Sequence, residues 1–295
     1  MSTEKIITLD GLRVFKNKLD SVVIKRTIYD LIPDGAEAHN AMWGGRDITA
    51  AFDAGTVSAN IANGTFKDIF PGDYITKQVT IPQVLADDGT TVLHAGGTYT
   101  INWVIADCDY WINKGDDPAT TAHHVAIVPQ QPIFSARMNS ANTTEGGYKG
   151  SEMYRNIIPA CATGIVNAFG SSHILTFRDH LTQDLNTSAV SSGITVFTGA
   201  PNWRGAWYGQ QCNLMSEAMV YDGPHCASSA LDNIMATRQM SAFRLSEKLI
   251  NYSRQWWWLR DVVSSTYFAV VHGTGHAATF DASSVVGVRP FALLR

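Results

Sequence analysis

Residues 256–295 read WWWLRDVVSSTYFAVVHGTGHAATFDASSVVGVRPFALLR. Heavy apolar runs stand at both ends, Trp256, Trp257, Trp258 and Leu259 on one side and Val288 to Leu294 on the other, and both predict buried strands. Between them, Phe268 to Gly287 is made of small residues without apolar periodicity of its own. Ala269, Gly275, Ala277, Ala282 and Gly287 punctuate it, and the positions between carry an unrelated mixture: Val270, Val271, His272, Gly273, Thr274, His276, Ala278, Thr279, Phe280, Asp281, Ser284, Val285 and Val286. That contrast predicts a scaffold holding up a face of arbitrary chemistry. The thirteen mixed positions are the expected ligand contacts. Trp257, Ser283, Arg289 and Pro290 join the punctuating residues as the expected framework, and at least one of the three tryptophans should line the face.

A compositional gap sharpens this. From Asp261 to Arg295 there is no Lys, Glu, Gln, Met or Trp, types that supply 9, 6, 9, 8 and 8 of the 295 residues. About five would be expected in such a window. These five types are the ones that a codon ending in a pyrimidine cannot encode, so scrambling the two adenines of Asn codons would leave this gap.

The whole chain is 45% hydrophobic and 16% charged, with a net charge of -4, enough to bury a substantial core in one large domain or two small ones. The charge gives no footprint for nucleic acid. No apolar run approaches the ~20 residues of a membrane span, and the start MSTEKIITLD lacks a signal-peptide apolar stretch, so a soluble protein made in a cytoplasm is expected. Cys108, Cys161, Cys212 and Cys226 form no CxxC pair, which favours buried thiols over a disulfide framework or zinc site.

Taken in order, Asp10 can cap a helix with Leu12, Phe15, Leu19, Val22 and Val23 on one face. Such a helix either packs on its own domain or builds a short trimerising or attaching bundle. Turn formers from Pro33 to Gly45 predict a linker. Alternation predicts strands over Tyr74 to Ile81 and around Tyr99, Ile101, Trp103 and Ile105, with another over His124 to Val128. Ser151 can open a helix through Met153, Ile157, Cys161, Ile165 and Phe169, kinked or restarted at Pro159 and closed by Gly170. Ser172 is expected to open a second helix with Ile174, Phe177, Leu181 and Leu185 on one face. Loops and short strands should fill Asn186 to Asp222. The order of elements is α+β.

Several chemical constellations weaken on inspection. His123 and His124 are neighbours on a strand and face opposite ways, so one buried and one exposed imidazole is expected rather than a shared ion. Asp107, Asp109, Asp116 and Asp117 could gather calcium, but their spacing fits no EF-hand and a solvated turn is preferred. GxSxG, Walker and HExxH patterns are absent. For glycan hydrolysis the C-terminal face offers only Asp261 and Asp281. No catalytic residue, metal ligand or cofactor is therefore expected, and the chain reads as a non-enzyme.

The framework WWWLR, SSTYFA, Gly275 with His276-Ala277, Ala282-Ser283 and GVRPFALLR, together with ANGTFKDIFPGDYI, HHVAIVP and NTTEGGYKGSEM upstream, resembles the variable proteins of diversity-generating retroelements found in phages and prophages of Firmicutes. The likeness covers most of the chain from about Asn60. It implies a C-type-lectin-like domain at 41–295, two helices beside a small antiparallel sheet, with a variable segment at about 256–291 and an N-terminal helix and linker at 1–40. It also implies a tail-tip protein of the virion that binds a bacterial cell-surface receptor, protein or glycan, and contacts other tail proteins, with homotrimers expected for avidity. The Glu-Pro-Asn or Gln-Pro-Asp triplets of calcium-dependent lectins are missing; Pro201-Asn202-Trp203 lacks the preceding acid. The cysteine pair of the fold-related formylglycine-generating oxidases is missing too, since no Cys follows Cys226. The rivals are a structural tail-fibre or baseplate protein and a calcium-independent glycan-binding domain of fixed specificity.

Overall fold

The computed structural model describes residues 28–183, 205–226 and 238–295. The chain divides into two compact units, Met1–Pro33 and Asp34–Arg295. In the first, Ile28–Leu31 forms a 3-10 turn, and the expected helix at 10–23 lies outside the described residues. So do Leu185 and the segment 186–204 with its Pro-Asn-Trp triplet.

In the larger unit the strands are β1 (Tyr74–Ile81), β2 (Val84–Leu85), β3 (Val92–His94), β4 (Gly97–Cys108), β5 (Val125–Pro129), β6 (Phe134–Ala136), β7 (Phe177–Thr182), β8 (Gly205–Gln210), β9 (Cys212–Leu214), β10 (Trp257–Val262), β11 (Tyr267–Val271), β12 (Ala277–Asp281), β13 (Val286–Val288) and β14 (Pro290–Leu294). The helices are α1 (Ala36–His39), α2 (Thr49–Asp53), α3 (Thr56–Ala62), α4 (Gly147–Gly150), α5 (Ile158–Phe169), α6 (Glu217–Tyr221) and α7 (Ser241–Leu245). One sheet has the order β1-β4-β5-β14-β9 and is antiparallel throughout. The other runs β12-β11-β10-β13-β6, with β10 and β13 parallel and the remaining pairs antiparallel. Two further ribbons pair β2 with β3 and β7 with β8. The architecture is α+β, and its sheets are larger than the single small one expected.

Alternation set the first strands correctly. In β1 Ile75, Val79 and Ile81 are buried, while Gln78 and Thr80 are exposed, as a period of two requires. The Pro159 restart is also realised: a π-helical turn at Met153–Ile157 runs into α5, with Pro159 in the first turn, where its missing N–H leaves no bond unmade. Gly170, at φ 92°, ends that helix.

The second helix does not form. Phe177 to Thr182 is a strand paired with β8, because a spacing of four serves a strand face as well as a helix face: Phe177, Asp179 and Leu181 share one side, all buried. The polar Asp179 that broke the apolar pattern is satisfied inside by Arg260 and by Asn213 at 2.9 Å. The expected linker is likewise part of the larger unit from Asp34 onward. His39 and Asn40 are buried, and Asn40 Nδ2 donates to Asp107 Oδ1 and to the Cys108 carbonyl at 3.0 and 2.9 Å.

Asp107 is no solvated turn residue. It is fully buried and accepts from both guanidinium Nη atoms of Arg238, at 2.5 and 2.6 Å, and from the Ser241 amide and hydroxyl. Asp109 accepts from the His124 amide and meets His123 Nδ1 at 2.7 Å, and Asp116 takes both donors of Arg178. Asp107, Asp109 and Asp116 thus each hold a different partner, and Asp117 is exposed. His124 is buried, donating from Nδ1 to the Ala122 carbonyl and accepting the Trp111 amide at Nε2, while His123 is exposed. Cys108, Cys161 and Cys212 are buried free thiols, and Cys226 is half-buried.

The core lies in two clusters. Trp258, Val262, Phe268 and Val270 join one, with Ile75, Trp103, Ile127 and Ile165. Trp257, Leu259, Ala269 and Val271 join the other, with Trp111, Phe243 and Phe291. Successive residues of β10 and β11 point to opposite sides of their sheet, so both strands are buried on both faces. That arrangement leaves β12 as the edge.

Candidate binding face

The site grows out of the β11–β12 hairpin. Val271 faces Ala277, Val270 faces Ala278, Ala269 faces Thr279 and Phe268 faces Phe280. The turn between them closes through His272 N donating to the His276 carbonyl at 2.9 Å and Gly275 N to the His272 carbonyl at 2.8 Å. Gly275 sits at φ 96°, a conformation that side chains rarely adopt. From behind, the Tyr221 hydroxyl donates to its carbonyl at 2.8 Å.

Four rings cross this surface in a row. His276 stacks on His272 with centroids 4.4 Å apart, His272 meets Trp256 edge-on at 4.0 Å, and Trp256 lies 4.9 Å from Phe280. Edge-to-face and offset arrangements are the ones that ring quadrupoles favour. Thr274 fixes the imidazoles: its amide donates to His272 Nδ1 at 3.1 Å, and its hydroxyl lies 2.7 Å from that atom and 2.8 Å from His276 Nδ1. Donation by the amide makes His272 Nδ1 an acceptor, so the ring's proton sits on Nε2. Beyond Phe280, a cleft of about 390 Å³ opens between Ser135, Gln255, Trp256 and Val285. Val285 is 60% exposed, an apolar side chain left in water at the rim of that cleft.

Of the thirteen expected contacts, nine reach the surface. Thr274, His276 and Val285 are exposed, and His272, Ala278, Thr279, Phe280, Asp281 and Ser284 are half-buried. Two of these carry local duties. Asp281 Oδ1 accepts from Asn142 at 2.8 Å, and Ser284 N closes a turn onto the Asp281 carbonyl. The other four are interior. Val270 and Val271 fill the two core clusters, Val286 is buried in β13, and Gly273 is buried where a Cβ would stand 2.4 Å from the Arg254 carbonyl oxygen. Val270 and Val271 are interior because β11 is covered on both faces, and at Gly273 a backbone carbonyl leaves no room for a side chain. Of the tryptophans, Trp257 and Trp258 are buried and Trp256 lines the face. Ser135 carried no sequence signal, since pairing of β6 with β13 brings it in from a distant part of the chain, and Gln255 joins the cleft as the chain neighbour of Trp256.

Ala269 and Ala282 are fully buried, and Gly287 lies where a Cβ would be 2.7 Å from Pro132 and from the Trp256 carbonyl. Ala277 is half-buried under the hairpin turn, and Pro290 opens β14 opposite Leu214. Arg289 is 1% exposed and donates to the carbonyls of Pro129, Leu249 and Gln130 at 2.8, 3.0 and 3.1 Å. Its burial pulls the guanidinium pKa down to about 9, which still leaves it charged at neutral pH.

Among the described residues no group of three His, Cys, Asp or Glu side chains is placed to hold a metal ion, and no helix is long and apolar enough to cross a membrane. Compared with family models, curated proteins and solved structures, the chain has no match.

Proposed function

We propose that the chain is a phage or prophage ligand-binding display protein, a non-enzyme of the tail tip whose C-terminal hairpin is diversified by a retroelement and binds a bacterial cell-surface receptor, protein or glycan. The observation that carries this reading is the group His272, Thr274, His276 and Val285, whose side chains reach the surface on a backbone held by buried neighbours. Changing such side chains alters what the surface recognises at little expense to the core. In this reading the domain is C-type-lectin-like, and the protein sits in the virion after synthesis in the host cytoplasm, in contact with other tail proteins. The face is small, so homotrimers with three faces pointing one way would supply avidity.

The test uses the labelled full chain on intact cells of candidate host bacteria, beside a variant carrying His272→Ala, Thr274→Ala, His276→Ala and Val285→Ala. Retention of the natural chain on some strain and its loss in a variant of unchanged melting temperature support the reading. Equal retention of the two proteins would assign binding elsewhere. An adenine-rich near-copy of the codons for Trp256 to Leu294 beside a reverse transcriptase gene tests diversification, and light scattering tests the trimer, which a monomer mass would overturn.

A further inference from the structure

A second surface, whose lining includes none of the thirteen hairpin positions, has a chemistry of its own. On the outer side of β1 and β4 the cross-strand pairs are Thr76 with Asn102, Gln78 with Thr100 and Thr80 with Thr98. Six neighbouring positions thus carry hydroxyls or amides and no charge. This is unusual for a sheet edge, where charged side chains ordinarily discourage association. The groups are already ordered: the Thr76 hydroxyl donates to Asn102 Oδ1 at 2.9 Å, Asn102 Nδ2 donates to Gln130 Oε1 at 3.2 Å, and the hydroxyls of Thr80 and Thr98 are 2.8 Å apart. Against this array a cleft of about 520 Å³ is lined by Thr98, Thr100, Asn102, Gln130, Gln131 and Tyr252. Tyr252 is 55% exposed, a large ring left standing beside the polar wall.

We infer that this cleft is a binding site for a short neutral oligosaccharide. Its volume falls within the roughly 300–1,000 Å³ of small-ligand clefts. No lining side chain carries a charge at neutral pH, so an ionic ligand would leave water without a counter-charge, at a large desolvation penalty. A neutral polyol exchanges its water contacts for hydroxyl and amide partners without that penalty. The preformed bonds hold Asn102 and Gln130 in one orientation, and both amides, which line the cleft, keep donor and acceptor capacity for a ligand. The Tyr252 ring supplies an apolar platform for the C–H face of a pyranose and its hydroxyl a polar edge. The site needs neither calcium nor the hairpin's variable residues, and it stands whether or not the receptor reading holds.

The experiment presents the full chain to an array of immobilised neutral oligosaccharides (maltotriose, cellotriose, chitotriose and lactose) with sialyllactose as the acidic control. Retention on at least one neutral sugar and not on sialyllactose is expected. That retention should fall at least tenfold in Tyr252→Ala and in Gln131→Ala, both exposed positions at which the melting temperature should hold, and should survive Trp256→Ala. Failure to bind any neutral sugar, preference for sialyllactose, or loss in Trp256→Ala with Tyr252→Ala unaffected overturns the assignment.

Discussion

The guanidinium of Arg289 lies 4.8 Å from the ring centroid of Trp257 and so joins the two ends of the C-terminal segment face to face. Phe243 flanks the same cation at 5.4 Å, and three backbone carbonyls take its donors. A single buried charge therefore organises the loops at 129–130 and 249 beneath the candidate face.

Replacing Arg289 should be costly. Arg289→Ala strands three carbonyls, and we expect a loss on the order of 3 kcal/mol in denaturant unfolding. Arg289→Lys should recover little, since one ammonium cannot reproduce the fork or the stacking. A loss below about 1 kcal/mol for Arg289→Ala would show that water takes over those carbonyls.

The outward side chains should be nearly free to change. The joint variant His272→Ala, Thr274→Ala, His276→Ala is expected to stay within about 1 kcal/mol of the natural chain. Phe280 is different: it is half-buried and packs on Trp256 and the core, so Phe280→Ala should cost about 2 kcal/mol. Thermal unfolding of the two variants separates display from packing, and a larger loss in the triple variant would place the turn in the interior.

Two glycines should resist even a methyl group. Gly273→Ala meets the Arg254 carbonyl and Gly287→Ala meets Pro132 and the Trp256 carbonyl; overpacking of this kind costs about 1–3 kcal/mol. Neutral melting curves for both variants would mean that the backbone at 254–256 and Pro132 move aside.

Acid should weaken the fold through His124. Desolvation depresses its folded pKa below the ordinary 6.5, so below that value the unfolded chain takes up a proton that the folded chain refuses. Stability is then full above about pH 6.5 and falls as pH drops from there toward the folded value. Melting temperatures between about pH 7.5 and about pH 5.5, one unit either side of 6.5, should decline less steeply in His124→Gln than in the natural chain. Parallel slopes would remove His124 as the source.

By itself, the sequence determined the elements whose periodicity has one solution. The alternation of Tyr74 to Ile81 admits only a half-buried strand, the tryptophan run and GVRPFALLR are apolar enough to demand burial, and Pro159 and Gly170 mark the restart and end of α5 for steric reasons. It also set Phe268 to Gly287 apart as a stretch without packing periodicity, and the structure folds much of that stretch into the hairpin of β11 and β12. Tertiary structure alone decided the rest. Phe177 and Leu181 fit a helix or a strand equally until β8 pairs with them and Arg260 meets Asp179. Val270 and Val271 resemble their exposed neighbours in composition and are interior only because β11 is sandwiched between two core clusters. In sequence Gly273 is one more mixed position, yet the Arg254 carbonyl, 19 residues away, leaves no space for a side chain. Long-range pairing sets which side of a strand meets solvent, and local residue pattern does not contain that information.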